Sequence, residues 1–146
     1  MTRSTQTRLL RAARTTAKNA YAPLSKFRVG AAVLTANGRI FSGCNVENSS
    51  LGLTVCAERV AVFKAVAAGQ RDVRALLVYT ETEEPTPPCG ACLQVISEFS
   101  ENPEVVLSSG RSAKTYRLRQ LLPRAFKLRP ANCHLERNET KSRDLS

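Results

Sequence analysis

Cys56 and Glu58 stand two residues apart, and further along the chain reads Pro88-Cys89-Gly90-Ala91-Cys92. Three thiols and one carboxylate are the donor set of a zinc site built for reaction. A structural zinc site closes all four positions with Cys or His, whereas a catalytic one keeps three protein ligands and leaves the fourth for water. Cys56, Cys89 and Cys92 supply three ligands, and Glu58 stands where such a site needs a carrier of protons. The charges set a further requirement. Three thiolates around Zn2+ leave one negative charge in excess, and electron-rich sulfur weakens the metal's pull on a water whose pKa must fall from ~15.7 toward ~7. That excess has to be offset. A carboxylate of ordinary acidity also has to be tuned upward by burial before it can donate near neutral pH.

The elements around these residues answer that requirement. Residues 55–68 read as a helix stopped by Gly69, and residues 89–99 as a second, with Pro88 at or beside its first turn. Both cysteine motifs therefore fall at helix starts. Aligned peptide dipoles place about half a positive charge there, and this favours thiolate. Cys89 and Cys92, at i and i+3, share one face of their first turn. Arg59, next to Glu58, is a candidate hydrogen-bond donor to ligand sulfur. Upstream, residues 5–20 form an amphipathic helix with Leu9, Leu10, Ala13, Ala17 and Ala20 at helical spacing.

Residues 27–36 read as a strand buried on both faces, Asn37-Gly38 as a two-residue hairpin turn, and residues 39–47 as the returning strand. Asn45 and Glu47 alternate along its end, so both side chains point to one face. Residues 75–80, 104–109 and 113–118 are further strands. An acidic, proline-rich loop spans 81–88, and Leu121-Leu122-Pro123 opens a short terminal helix. Helices alternate with strands after the opening hairpin, so the fold class is α/β, with a mixed sheet covered by helices on both faces.

Composition narrows the rest. A chain of 146 residues makes one domain with a sizeable core, and no apolar run approaches the ~18 residues a membrane span needs. Five cysteines, two of them spaced as CxxC, speak against a disulfide framework; reduced thiols serving a metal point to the cytosol. The net charge of +10 is unevenly spread: residues 1–28 hold 7 basic and 0 acidic groups, 29–110 hold 5 and 9, and 111–146 hold 10 and 3. The motif-bearing middle is the least basic part and Trp is absent. This reads as a solvated basic periphery and not as a nucleic-acid groove, although weak RNA attraction at low salt follows from charge alone.

The first 28 residues have the composition of a mitochondrial transit peptide, yet their helical spacing makes them the first helix of the domain. Residues 1–128 form the catalytic domain, and 129–146 a polar, charged, flexible tail without period. Cys133-His134 in that tail is set aside as a fourth ligand, since closing the site would remove the water position. Cys44, among apolar strand residues, reads as a buried inert thiol.

The stretches Gly43-Cys44-Asn45-Val46-Glu47-Asn48, Thr54-Val55-Cys56-Ala57-Glu58-Arg59 and Pro87-Pro88-Cys89-Gly90-Ala91-Cys92 stand in a telling order. Ser25-Lys26-Phe27-Arg28-Val29-Gly30-Ala31-Ala32 precedes them and Leu121-Leu122-Pro123-Arg124-Ala125-Phe126 follows. From about residue 8 to Phe126 the chain resembles the small homotetrameric zinc-dependent cytidine deaminases. The resemblance implies a three-layer α/β/α sandwich around a mixed five-stranded sheet. It implies one Zn2+ per subunit on Cys56, Cys89 and Cys92, with Glu58 as proton shuttle and Arg59 bonded to ligand sulfur. It also implies Asn45 and Glu47 on the ribose hydroxyls, Phe27 and Ala57 at the pyrimidine, and Phe126 reaching a neighbouring subunit's site. The expected reaction is hydrolytic deamination of cytidine or deoxycytidine to the uridine form with release of ammonia, in cytoplasmic pyrimidine salvage.

Ala91 stands where blasticidin S deaminases carry Arg, and Cys56 where deoxycytidylate deaminases and polynucleotide editors usually carry His; both point to a free nucleoside. Leu24 and Leu51 replace the family's Tyr, Leu93 its Arg, and Lys127-Leu128 its Gly-Pro. These departures fall near subunit contacts or the pocket rim and spare the zinc ligands. Two other readings compete. One keeps the chemistry and places the cytosine in a modified nucleoside, RNA or single-stranded DNA, motivated by the basic ends. The other is a zinc-stabilised binding module without turnover, which the open ligand set and Glu58 oppose.

Overall fold

The computed structural model describes residues 1–128. The chain runs α1 (Arg3–Ala17), β1 (Val29–Thr35), β2 (Ile40–Cys44), a single 3-10 turn (Leu51–Leu53), α2 (Ala57–Ala67), β3 (Val73–Thr80), α3 (Gly90–Glu98), β4 (Glu104–Ser108), β5 (Ala113–Arg117) and α4 (Leu118–Leu121). The strands form one sheet in the order β2-β1-β3-β4-β5. Only β3 and β4 run parallel, joined by the crossover through α3; the remaining pairs are antiparallel.

Strand alternation sorts the core into two faces. On one, Leu9, Ala13 and Ala17 of α1 pack against Ala32, Ala75, Leu77, Tyr79 and Val106. On the other, Ala57, Ala61, Val62 and Ala65 of α2, with Leu93 and Ile96 of α3, cover Ala31, Val33, Leu76, Val78 and Val105. The result is the expected three-layer α/β/α sandwich, and the basic N-terminal segment is one of its layers. Two glycines let the layers close. A Cβ on Gly30 would lie 2.0 Å from the Ala13 carbonyl oxygen, and one on Gly43 would lie 2.6 Å from the Ala61 nitrogen. Either would push a helix off the sheet.

Several boundaries differ from the sequence expectation for identifiable reasons. The β1–β2 connection is a three-residue loop instead of a two-residue turn: Thr35 N–H donates to Arg39 O at 3.0 Å, and Gly38 N–H to Thr35 O at 2.9 Å. Gly38 takes the left-handed conformation alone (φ +81°), while Asn37 uses its side-chain oxygen to accept from the Thr35 hydroxyl. α4 ends where a helix was expected to begin. Leu118 is buried and its N–H donates to Pro103 O at 3.1 Å, so β5 passes directly into the helix, and Pro123 cannot continue it. Cys44 is only partly buried. Leu93, expected near a contact or rim, is 6 % exposed and sits in the core between α2 and α3. The 129–146 tail, with Cys133 and His134, lies outside the described residues. Among the described residues no helix is long and apolar enough to cross a membrane.

Candidate metal centre and substrate cavity

The starts of α2 and α3 bring the thiols together. Cys56 and Cys89 are the N-cap residues of the two helices, both in extended backbone conformation, and neither side chain caps its own helix. Their sulfurs instead gather with that of Cys92. Cys56 Sγ lies 4.0 Å from Cys89 Sγ, which lies 3.4 Å from Cys92 Sγ, and all three fall within 4.8 Å. Thiolates sharing a tetrahedral ion at ~2.3 Å would be spaced about 3.8 Å apart. The trio therefore fits zinc in donor type and in size.

Electrostatics prepare it further. Arg59 Nη2 donates to Thr54 O at 3.1 Å and lies 3.7 Å from Cys56 Sγ. The Cys56 thiol is held down to about 5, first because Cys92 donates to it and then because Arg59 does, against the opposing effect of burial. Cys92 is pushed far up, since its proton is the one shared with the Cys56 sulfur. One negative charge is thus already lodged among the sulfurs, and a divalent metal displaces the remaining thiol protons as it binds.

Glu58, in the first turn of α2, is 5 % exposed. Burial pushes its carboxyl up to about 7, and the neighbouring Cys56 thiolate adds to the shift. The carboxyl is consequently poised between its two protonation states near neutral pH.

A cavity of about 310 Å³ opens over this centre. Phe27, Asn45, Glu47, Cys56, Ala57, Glu58 and Cys89 all line it. Cys92 is buried beneath them. The two polar residues also serve the main chain. Asn45 Oδ1 accepts from Val29 N–H at 2.9 Å, and its Nδ2 donates to Phe27 O at 2.8 Å. The Glu47 carboxylate accepts from Leu24 N–H at 2.7 Å and from Ser25 N–H at 3.3 Å. These contacts, with the Ser25 hydroxyl foremost, hold its carboxyl below the usual range.

Phe126 lies elsewhere. It is 70 % exposed, does not line this cavity, and its main chain is gripped by the Gln94 amide: Phe126 N–H donates to Oε1 at 2.9 Å, and Nε2 donates to Phe126 O at 2.8 Å. Val78, Thr80 and Thr86 also line the cavity and were not singled out in the sequence. Thr86 directly precedes the Pro87-Pro88-Cys89 stretch, the one signal that could have flagged it, whereas Val78 and Thr80 lie on β3. The 81–88 loop that carries Thr86 and Pro87 makes a 2.8 Å surface ion pair from Glu84 to Lys114 of β5.

A larger groove, about 820 Å³, lies beyond the C-terminal end of α3, where Arg71, Glu98, Arg117 and Arg119 line it. Among the described residues the cluster of metal-ligating side chains is Cys56, Cys89 and Cys92, none of which lines this groove, so size alone does not make it the reaction site.

Three thiols at converging helix starts beside a buried carboxylate define a zinc-dependent hydrolase. Known proteins specify it further. The sequence profile of the cytidine and deoxycytidylate deaminase zinc-binding region matches residues 3–109. A cytidine deaminase of Sporosarcina psychrophila is 48% identical over 111 residues, covering 75% of this chain and 82% of that protein. A probable cytidine deaminase of Dictyostelium discoideum is 43% identical over 116 residues, 79% of each. Among solved structures, the cytidine deaminase from Burkholderia pseudomallei superposes with a TM-score of 0.80 at 46% identity, over 86% of this chain and all of that one. The chain belongs to the zinc-dependent cytidine deaminase family.

Proposed function

We propose that the protein hydrolyses the exocyclic amine of cytidine and deoxycytidine, giving the uridine form and ammonia. The observation that carries this reading is the buried Glu58 carboxyl beside the three-sulfur centre, in a cavity whose volume of about 310 Å³ suits one nucleoside. Zinc, when bound to Cys56, Cys89 and Cys92, supplies Lewis acidity that makes water nucleophilic near neutral pH. Glu58 takes the proton of the attacking water, passes it to ring N3, and later carries a proton to the departing ammonia. A carboxyl near pH 7 serves both directions.

Phe27 packs against the pyrimidine. Ala57 offers an N–H from the first helical turn, where no intrahelical acceptor exists. Asn45 retains a second amide proton and Glu47 further lone pairs for the ribose hydroxyls. Arg59 holds the Cys56 sulfur and withdraws charge from it. The outward Phe126 closes a neighbouring copy's cavity in a homotetramer, and Leu24 and Leu51, both exposed, fall at subunit contacts. Residues 1–128 form the catalytic domain, and the setting is cytoplasmic pyrimidine salvage.

The test is zinc content and ammonia release from cytidine for the wild type beside Glu58→Gln. Zinc in both proteins with turnover only in the wild type is expected. Equal turnover in both would overturn the role of Glu58. Zinc in both without cytidine turnover would move the substrate to modified nucleosides or oligonucleotides.

A further inference from the structure

Among the described residues, Lys26 is the one non-glycine with a left-handed backbone, at φ +59°. That conformation crowds any Cβ; Asn and Asp tolerate it and β-branched residues do not. The Lys26 side chain is exposed, so no packing of its own imposes the turn. The compensation comes from fastenings on either side. Lys26 N–H donates to Ala22 O at 3.1 Å and Phe27 N–H to Ser25 Oγ at 3.0 Å. Glu47 takes the Leu24 and Ser25 N–H groups, and Asn45 holds both Phe27 O and Val29 N–H. Strain of this kind persists where surrounding structure over-determines it, and it gathers at functional sites. Here the residue that follows is Phe27, in the cavity wall.

We propose that the left-handed turn at Lys26 is a positioning device: it sets Phe27 and, through shared hydrogen bonds, the Asn45 and Glu47 side chains, and it acts through backbone conformation and not through the ammonium group. If Lys26 became extended, Phe27 O would leave Asn45, and the Leu24 and Ser25 N–H groups would leave Glu47. The base end and the sugar end of the cavity would shift together. The sulfurs and Glu58, carried by α2 and α3, would stay in place. The kinetic part of this inference rests on the nucleoside reading above; the backbone part does not.

The experiment compares full-length Lys26→Val and Lys26→Asn with the wild type. Lys26→Val raises KM for cytidine roughly tenfold, as expected for loss of binding made equally in ground and transition states, with kcat within about twofold. Zinc content is unchanged. Lys26→Asn, neutral but tolerant of the left-handed region, keeps the wild-type KM. Amide hydrogen exchange at Leu24, Ser25 and Phe27 quickens in Lys26→Val alone. Unchanged KM and exchange in Lys26→Val would overturn the proposal, and so would an Asn variant as impaired as Val, which would assign the effect to the ammonium. Should the wild type turn over no cytidine, the nucleoside reading fails and the exchange comparison decides the backbone proposal by itself.

Discussion

The starts of α1 and α2 have nearly the same backbone and opposite employment. Thr2 precedes α1 at φ −75°, ψ 156°, and Cys56 precedes α2 at φ −71°, ψ 153°. Thr2 turns its hydroxyl inward and accepts from Thr5 N–H at 3.2 Å, so that helix end is closed by its own cap. Cys56 makes no such bond, and α3 repeats the arrangement at Cys89. A helix gains stability when its orphan N–H groups are satisfied locally. It gains an electrostatic handle when they are left to face a ligand. The face of the sheet under α1 takes the first course, and the face under α2 and α3 takes the second.

Substitutions at the two kinds of helix start should separate these uses. The largest effect is expected at Cys89→Ala: zinc falls well below one per chain, and cytidine turnover drops by about 10³-fold or more, as water loses its activation. Metal analysis and an ammonia assay check both. Glu58→Gln comes next, with kcat lowered by roughly 10²- to 10⁴-fold while zinc remains. Its melting temperature should not fall, because the change removes a buried ionisable group without altering its shape. Arg59→Ala should weaken zinc retention against a chelator by about 10- to 100-fold, since the guanidinium supports the sulfur from outside the ligand set. Thr2→Ala is the smallest change. It costs about 1 kcal/mol, read in denaturant, and leaves zinc content and kinetic constants untouched. A kinetic effect from Thr2→Ala, or retention of full zinc by Cys89→Ala, would break the distinction between the helix starts.

The features legible in the sequence are those whose cause is local. Ligand spacing, the cysteines' place at helix starts and the continuous apolar run of β1, buried on both faces, each depend on a few consecutive residues. What escaped depends on contacts between distant segments. The main-chain duties of Asn45 and Glu47 arise because residues 22–29 return beside residues 45–47, a juxtaposition marked by the Tyr21–Val46 bridge. The left-handed turn at Lys26 belongs to that same return. Leu93 was expected near a contact or rim because the resembled family carries Arg there, whereas the apolar side chain packs into the core with α2. The placement of α4 was settled by Pro103, fifteen residues before Leu118. The Asn-Gly signal marked the right location, and the additional residue in the loop followed from Thr35 engaging the Asn37 side chain.

Gln94 grips residue 126 by its peptide group, through one bond given and one received. Such a clamp is blind to the side chain it presents, provided an N–H is there; proline is the excluded residue. Position 126 is thereby a socket. The ring it displays can be exchanged for another without rerouting the chain or loosening α3, so what this segment offers its surroundings can diversify while the fold and the sulfur centre are held constant.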